Sequence, residues 1–419
     1  MMSLELIRSA PDRLRQAARV KGVDVDIDAI LDLDARTRAV RQALEDLRAQ
    51  RNRLSDGFRG LSEAERQQQR QRASELGAGI QDRERELVRL EGELRGLLLL
   101  TPNIPWSGAP IGPDESANIV VRQVGRPPSF DFTPLDHVEL MARHDWADLS
   151  AVSRICGART YALKGRLALL EQAILFHASQ TLQKKGFSLI SVPAIARPEA
   201  FVNTGHFPLG RDDAFELPRE GLFLAGTSEI VVNSLHSGQV LDHTQLPILY
   251  CAFSPCFRRE AGSGGRDVRG LLRVHQFYKV EQYVICRDDP AESALWHDRL
   301  LENAESIVQS FELPYQVVEC STGDMGVGKV RMNDIETWVP SLGRYRETHS
   351  CSTLHGWQAR RANIRYRDAD GRIRFVHTLN NTAIATPRIL VPLLENHQDA
   401  NGMVRLPAAL SRYMDGERL

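Results

Sequence analysis

The sequence contains few cysteines, and none of them belongs to a recognisable metal or disulfide motif. Six cysteines are scattered over the 419 residues, at positions 156, 251, 256, 286, 320 and 351. No CxxC pair occurs, and Cys251 and Cys256 have no second pair with which to complete a zinc ribbon. We therefore expect reduced thiols in the core of a cytoplasmic protein, where disulfides are rare.

Long apolar runs and a strong net charge are also missing. No run of 18 uncharged apolar residues occurs, so the sequence predicts no membrane span. The opening stretch MMSLELIRSAPDR carries charge from position 5 and lacks the apolar segment of a secretory signal. A net charge of −1 provides no overall basic field for nucleic acid. DNA binding is therefore not expected, and any RNA would have to meet a local basic patch.

The first hundred residues have the composition of long helices. Pro11 and Pro102 bracket a stretch without proline that is rich in Arg, Glu, Gln, Leu and Ala. Apolar residues recur every three or four positions over 40–58 and again over 76–97, with Arg51 and Arg83 each taking one apolar position. The simplest interpretation is an antiparallel coiled-coil hairpin with arms of about 45 Å. We place a domain boundary here, with one domain over 1–102 and a second over 103–419.

The region between the two heptad runs is rich in arginine. Residues 48–72 include Arg48, Arg51, Arg53, Arg59, Arg66, Arg70 and Arg72 against Asp56, Glu63 and Glu65. Such a run is either a solvated helix face or an RNA-backbone contact at the end of a long lever. The second interpretation makes Arg51, Arg53 and Arg59 the candidate contacts.

Beyond the Pro- and Gly-rich segment 102–113 the pattern changes to that of a mixed domain. Strand-like apolar runs occur at 187–193, 245–255, 277–286 and 315–320. Helix-like stretches at 167–186 and 291–313 alternate with them. Separated helices and hairpin-like returns predict an α+β fold, with flanking helices on an antiparallel β-sheet.

The stretch 254–283 has the pattern of a nucleotide site. An apolar strand ends in Phe257-Arg258-Arg259-Glu260, a Gly- and Arg-rich loop follows over 261–270, and a second strand returns to Glu281. Arg258 could clamp a phosphate through two hydrogen bonds, Glu260 could accept from an amino group, and Phe277 could stack on a base. The alternative is an ordinary hairpin with surface arginines.

This stretch resembles motif 2 of the class II aminoacyl-tRNA synthetases, and FRREAGSGGRDVRGL and RVHQFYKVE are similar to the seryl-tRNA synthetase version. The resemblance extends over almost the whole chain, through the heptad helices, NIPWSGAPIGPDES, NTGHFP and GTSEI. Residues 167–193 resemble motif 1, residues 250–283 motif 2 and residues 378–398 motif 3. The class I signatures HIGH and KMSKS are absent.

The resemblance implies an enzyme that activates L-serine with ATP and Mg²⁺ and transfers it to the 3′ end of tRNA-Ser, and of tRNA-Sec where the organism has it. It also implies a homodimer with a contact near Pro193, and a helical arm that reaches the long variable arm of the tRNA. One alternative is a class II paralogue that activates serine for a biosynthetic pathway. Another is a binding protein with an inactive site. The retained arm and the intact motif residues favour the first interpretation.

Matching to the family motifs, position by position, implies the site residues. Arg258 and Arg388 take the catalytic positions that meet ATP phosphate. The positions that bind serine are Thr227, Ser228, Glu229, Arg258, Glu281, Asn380 and Thr382. The positions that bind ATP are Arg258, Arg259, Glu260, Val274, Phe277, Glu347, Thr348, His349, Ser350 and Arg388. Glu347 and Ser350 also match the ligands of Mg²⁺.

Overall fold

A computed structural model describes residues 1–56, 62–262, 264 and 269–419. Within them the chain divides into two compact units, the first made of residues 1–19 and 23–102 and the second of residues 20–22 and 103–419. Arg59, one of the three candidate RNA contacts, lies outside the described residues. The predicted α+β class is confirmed, because a helical first unit precedes a second unit built on a mainly antiparallel sheet.

The first unit consists of helices. They are α1 Leu4–Ser9, α2 Pro11–Val20, α3 Ile27–Asp56 and α4 Glu63–Leu100. Arg41 pairs with Glu91 and Arg48 with Glu84, each at 2.7 Å, so α3 and α4 run antiparallel. Between the two helices the predicted seam residues Val40, Leu44, Ile80, Leu90 and Leu94 are buried. The predicted helical hairpin is therefore confirmed.

The second unit combines helices and strands. Its helices are α5 His137–Arg143, α6 Leu149–Cys156, α7 Gly165–Lys184, α8 Pro198–Thr204, α9 Glu229–Ser234, α10 Pro290–Ser310, α11 Trp357–Ala362, α12 Leu390–Asn396 and α13 Ala408–Ser411. Its strands are β1 Ile119–Val124, β2 Ser188–Ser191, β3 Ile195–Ala196, β4 Phe215–Leu217, β5 Leu222–Leu224, β6 Val240–Asp242, β7 Ile248–Phe257, β8 Gln276–Cys286, β9 Tyr315–Glu319, β10 Arg331–Val339, β11 Arg344–His355, β12 Arg365–Arg367, β13 Ile373–Phe375 and β14 His377–Thr386. The predicted helices correspond to α7 and α10, and the predicted strands to β2, β7, β8 and β9.

Eight strands form the main sheet, in the order β1-β9-β10-β11-β14-β8-β7-β2. Neighbouring strands are antiparallel except β2 and β7, which are parallel. Helix α7 packs on this sheet through Leu170, Ile174, Ala178 and Leu182, whose spacing of four presents one apolar face. Each of the larger side chains buried in this way stabilises the fold by roughly 1.5–3 kcal/mol.

The cysteines are mostly core residues, with one correction. Cys251, Cys256, Cys286, Cys320 and Cys351 are buried free thiols, whereas Cys156 is exposed at the end of α6. The amphipathic pattern of this short helix does not reveal which of its residues the body of the protein covers. Among the described residues, no helix combines the length and the apolar character needed to cross a membrane.

Candidate active site

A cavity of about 390 Å³ lies against the centre of the main sheet. It is lined by residues of β8, β11 and β14, of the chain that follows β7 from Arg258 onward, and of the loops around 204–209 and 326–329. Thirteen of the predicted serine and ATP residues line it, namely Thr227, Glu229, Arg258, Glu260, Val274, Phe277, Glu281, Glu347, Thr348, Ser350, Asn380, Thr382 and Arg388. Four widely separated stretches of sequence therefore meet in one place.

Three predicted residues do not line the cavity, namely Ser228, Arg259 and His349. Ser228 is buried immediately before α9, and Arg259 donates its backbone N–H to the carbonyl of Asp213 at 2.9 Å. Side chains alternate along β11, so His349 points away between Thr348 and Ser350. Burial lowers the pKa of His349 to about 3, so its imidazole is neutral. Side-chain contacts with a ligand in the cavity are therefore not expected from these three.

Glu281 and Thr382 lie directly opposite each other on the paired strands β8 and β14. The Cβ atoms of such a pair are about 4.5–5.5 Å apart, close enough for both side chains to bind one small group. Glu281 is 2% exposed, and this burial raises the pKa of its carboxyl group. A carboxylate and a hydroxyl at this position together offer hydrogen bonds to an ammonium or a hydroxyl group.

A second carboxylate, Glu229, is held by a buried network behind the cavity. Its Oε1 accepts hydrogen bonds from Gln358 Nε2 at 2.6 Å and from Asn380 Nδ2 at 2.8 Å. Gln358 Oε1 in turn accepts from Tyr283 and Thr378. Burial raises the pKa of Glu229, and the donated hydrogen bond of Gln358 opposes that shift. The network fixes the position of Glu229, and Gln358 is a residue that the sequence analysis missed.

Lys279 is the most consequential residue that the sequence analysis missed. Its Nζ lies 2.5 Å from Glu281 Oε2 and donates a hydrogen bond to Thr227 Oγ1 at 2.8 Å. The side chain is buried and lines the cavity. A signal was present, because residues 277, 279 and 281 of one strand must share a face. The assignment of Phe277 and Glu281 to the site therefore implied Lys279.

Arg258 and Phe277 both line the cavity and contact each other through a cation–π interaction. The Arg258 guanidinium lies 5.3 Å from the centre of the Phe277 ring, and its Nε donates to the carbonyl of Gly226 at 3.4 Å. A Cβ at Gly226 would come within 3.3 Å of Arg258 Cγ, so glycine leaves the arginine its space. Next to it, Glu260 has φ +56° and pairs with Arg273 at 2.5 Å. A left-handed backbone at a residue other than glycine is a costly feature that is common in active sites.

Arg388 and Glu347, which both line the cavity, contact each other. Arg388 Nη1 lies 3.2 Å from the Glu347 carbonyl oxygen and 3.4 Å from its Oε2, and Arg388 Nε donates to the Leu272 carbonyl at 3.1 Å. The β10–β11 register shifts by one residue between Ile335 and Glu336, leaving Thr348 as the extra residue. This bulge lets neighbouring residues of β11 face the same cavity.

Loop 326–329 forms one wall and has an unusual anchor. Lys21 of the 20–22 segment donates hydrogen bonds to the carbonyls of Gly326, Val327 and Lys329 at 3.2, 3.1 and 2.5 Å. Burial lowers the pKa of Lys21 to about 7. On another wall, burial lowers the pKa of His206 to about 3, so this imidazole is neutral.

Comparison with known proteins agrees with this arrangement. The family described as the seryl-tRNA synthetase N-terminal domain matches residues 1–105, and the tRNA synthetase class II core domain (G, H, P, S and T) matches residues 215–397. The serine--tRNA ligase of Deinococcus radiodurans is 50% identical over 419 residues, which cover 100% of this chain and 99% of that protein.

Solved structures resemble the whole chain. The seryl-tRNA synthetase of Pyrococcus horikoshii, complexed with ATP, has a TM-score of 0.91 at 33% identity and covers 100% of this chain and 99% of its own. The cytoplasmic serine-tRNA ligase of Naegleria fowleri, in complex with AMP, has a TM-score of 0.87 at 29% identity, with 98% and 95% covered. The full-length identity and the two family matches show that this chain belongs to the seryl-tRNA synthetase family.

Proposed function

We propose that this chain activates L-serine with ATP and transfers it to the 3′ end of tRNA-Ser, and of tRNA-Sec where that tRNA exists. In the first step a serine carboxylate oxygen bonds to the α-phosphorus of ATP, and pyrophosphate leaves. In the second step a terminal ribose hydroxyl of the tRNA attacks the seryl carbonyl carbon, and AMP leaves. A carboxylate is already nucleophilic at neutral pH, so the first step needs no general base.

The observation that carries this proposal is the pairing of Glu281 with Thr382 on adjacent strands of the same cavity as Arg258 and Arg388. The carboxylate of Glu281 and the hydroxyl of Thr382 can form hydrogen bonds with the ammonium and hydroxyl groups of serine. A buried site that hydrogen-bonds a hydroxyl rejects the analogue without it by about 10⁴–10⁵. Alanine is therefore rejected, because it would leave these buried groups without partners.

The arginines supply the electrostatic part of the reaction. Two anions, the serine carboxylate and the triphosphate, must approach each other, and further charge develops on phosphate oxygens as pyrophosphate leaves. Arg258 and Arg388 line the cavity, and fixed cations aimed at developing charge lower such barriers by several kcal/mol. Phe277 offers its ring to the base, with Arg258 at its face. Orientation of the reactants contributes the rest.

Glu347 and Ser350 are suited to Mg²⁺. Mg²⁺ is bound through oxygen atoms, usually by one or two protein groups together with substrate phosphates. Glu347 presents a half-exposed carboxylate, and Ser350 Oγ is buried with no well-formed hydrogen bond within the described residues. When bound there, Mg²⁺ neutralises charge on the phosphates. Arg388 keeps Glu347 oriented through its contacts with the Glu347 carbonyl and carboxylate.

The two units have separate roles in this proposal. Residues 1–102 form the tRNA-binding domain, and residues 103–419 form the catalytic domain. Arg51 and Arg53 lie on α3 with exposed side chains, and we propose that they contact tRNA phosphates. Phosphate contacts of this kind fix the register of a nucleic acid and carry little sequence information. We also propose a cytoplasmic location, supported by the free thiols.

We also propose a homodimer. Apolar side chains are exposed along and just after the motif 1 region, namely Leu169 and Phe176 on α7, Leu189 on β2 and Ile195 on β3. Strand β2 is the edge of the main sheet, and Pro193 follows it. Clustered exposed apolar residues at a sheet edge favour a protein contact. Analytical ultracentrifugation at micromolar concentration tests this, and a fully active monomer would contradict it.

Serine-dependent ATP–pyrophosphate exchange, followed by charging of tRNA-Ser, tests the proposed function. Both activities are expected. Exchange without charging would identify a paralogue that activates serine for another acceptor. The absence of both would identify a binding protein with an inactive site.

A further inference from the structure

We infer that Lys279 is a positioning residue of the serine pocket, holding Glu281 and Thr227 in place and balancing the charge of two buried carboxylates. The inference rests on the proposed function and adds a residue to it. Lys279 Nζ contacts Glu281 Oε2 at 2.5 Å and Thr227 Oγ1 at 2.8 Å. It therefore touches two of the groups proposed to bind serine.

The charges of the cavity give Lys279 its importance. Glu229 and Glu281 are both buried, and two carboxylates in a site of low polarity cannot both stay ionised without a counter-charge. Lys279 supplies one positive charge, and the ammonium of a bound amino acid supplies the other. Arg258 is then left to face the carboxylate of the substrate. This balance selects a zwitterion, which is the form of serine at neutral pH.

Burial makes the Lys279 contact stronger than a surface pair. The side chains of Lys279 and Glu281 are 6% and 2% exposed. Removing one partner of such a pair leaves an uncompensated buried charge. Without Lys279, the Glu281 carboxyl therefore takes up a proton more readily, and a neutral carboxyl cannot pair with an ammonium.

The surroundings of Glu281 contain few other ionisable groups that could replace Lys279. Among the residues that the structure describes, the charged or titratable groups that face Glu281 are Lys279 on its own strand, Glu229 at the start of α9, the Cys256 thiol on β7, Arg258 just after β7, and the Cys351 thiol on β11. Burial raises the pKa of both thiols, so they are neutral. Apart from Lys279, Arg258 is the cation in this described set, and the proposed reaction uses it to bind the substrate carboxylate and phosphate.

The first experiment compares Lys279→Met with Lys279→Arg in pyrophosphate exchange. Lys279→Met is expected to raise the KM for serine by about 10- to 100-fold, the effect of one charged hydrogen bond, with a smaller change in the KM for ATP. Lys279→Arg keeps the charge and should restore part of the loss. An unchanged serine KM would overturn the inference, and so would tighter serine binding, which would mean that Lys279 competes with the substrate ammonium.

The pH profile separates charge balance from a merely structural role. In Lys279→Met the serine KM should fall as the pH rises, because loss of the Lys279 charge raises the pKa of the Glu281 carboxyl further and a higher pH restores its carboxylate while serine keeps its ammonium. The unaltered chain should show a flatter profile. Equal losses in both KM values with no pH dependence would mean that Lys279 only supports the fold.

A measurement without substrate keeps this inference distinct from the proposed function. Carbon-13 NMR of glutamate-labelled protein, with Glu281 identified through Glu281→Gln, reports the pKa of Glu281 directly. Lys279→Met should raise that pKa, and Lys329→Met, which removes a lysine of the same cavity that does not contact Glu281, should raise it less. Equal shifts would refute the inference. Absence of serine-dependent exchange in the unaltered chain would instead refute the proposed function.

Discussion

The helical hairpin and the cavity hold their ion pairs in opposite ways. In the hairpin, Arg41–Glu91 and Arg48–Glu84 join α3 to α4 through side chains that are about half exposed. In the cavity, both Lys279 and Glu281 are almost completely buried. An exposed pair contributes about 0–1 kcal/mol, whereas loss of one partner from a buried pair costs about 3–5 kcal/mol. An exposed ion pair of the hairpin can therefore exchange its carboxylate for a nucleic-acid phosphate at little cost in free energy. The buried pair of the cavity cannot lose a partner without a large cost.

Deleting residues 30–97 should have the largest effect on one activity and almost none on the other. We expect tRNA charging to be lost, because the proposed tRNA-binding surface is removed. Serine-dependent pyrophosphate exchange should stay close to normal, because none of the residues that line the cavity is deleted. The two assays on one variant test this, and loss of exchange would mean that the hairpin supports the catalytic unit.

A longer truncation tests which part of the N-terminal region supports the cavity. Removing residues 1–102 also removes Lys21, whose ammonium binds three carbonyls of the cavity wall. We therefore expect exchange to fall in this variant and to remain in the shorter deletion. The single substitution Lys21→Met in the full chain should reproduce that fall.

Arg258→Ala and Arg388→Ala should each reduce exchange by about 10²–10³ or more. Both guanidinium groups line the cavity where phosphate charge is proposed to develop. Exchange rates and thermal melting measure the effect and the stability of the fold. Arg372→Ala, on the exposed turn between β12 and β13, is the matched control and should keep normal activity. Near-normal exchange in either cavity variant would exclude that arginine from catalysis.

Glu281→Gln and Thr382→Val should weaken the use of serine more than the use of ATP. Each variant removes one partner of the serine ammonium or hydroxyl, with an expected rise of about 10- to 100-fold in the KM for serine. Separate KM values for the two substrates measure this. A change confined to ATP would mean that the pair faces the nucleotide.

Neutralising Arg51, Arg53 and Arg59 to glutamine should have the smallest effect. Each phosphate contact that is lost reduces the slope of log affinity against log salt concentration by about 0.7–0.9. We expect weaker tRNA binding with a flatter salt dependence and an unchanged exchange rate. The control neutralises Arg36, Arg41 and Arg89, which lie on the same helices farther along the sequence from the α3–α4 connection and should change the slope less. Equal effects of the two sets would mean that Arg51, Arg53 and Arg59 do not contact the tRNA backbone more than other arginines of the hairpin do.

Much of the fold could be read from periodicity, because local patterns report local structure. Heptads without proline predicted α3 and α4, and the helix-like stretch 167–186 predicted α7. The second of these helices begins at Glu63, where Glu65 Oε2 accepts a hydrogen bond from the backbone N–H of Ser62 at 2.8 Å. The exposure of Cys156 was missed, because a short amphipathic helix does not reveal what covers it.

For the site, too, local sequence patterns predicted one part and tertiary packing decided the other. The sequence by itself determined the residue types that carry the chemistry, because motif words are local and Arg258, Glu281, Glu347 and Arg388 stand inside them. Only the tertiary structure decided that Glu281 faces Thr382 and that Lys279 holds Glu281 and Thr227 together. Those relations depend on strand register and on which strands are neighbours. Both are set by packing between segments roughly 50 to 100 residues apart in the sequence, and no local pattern records which side chains meet across strands.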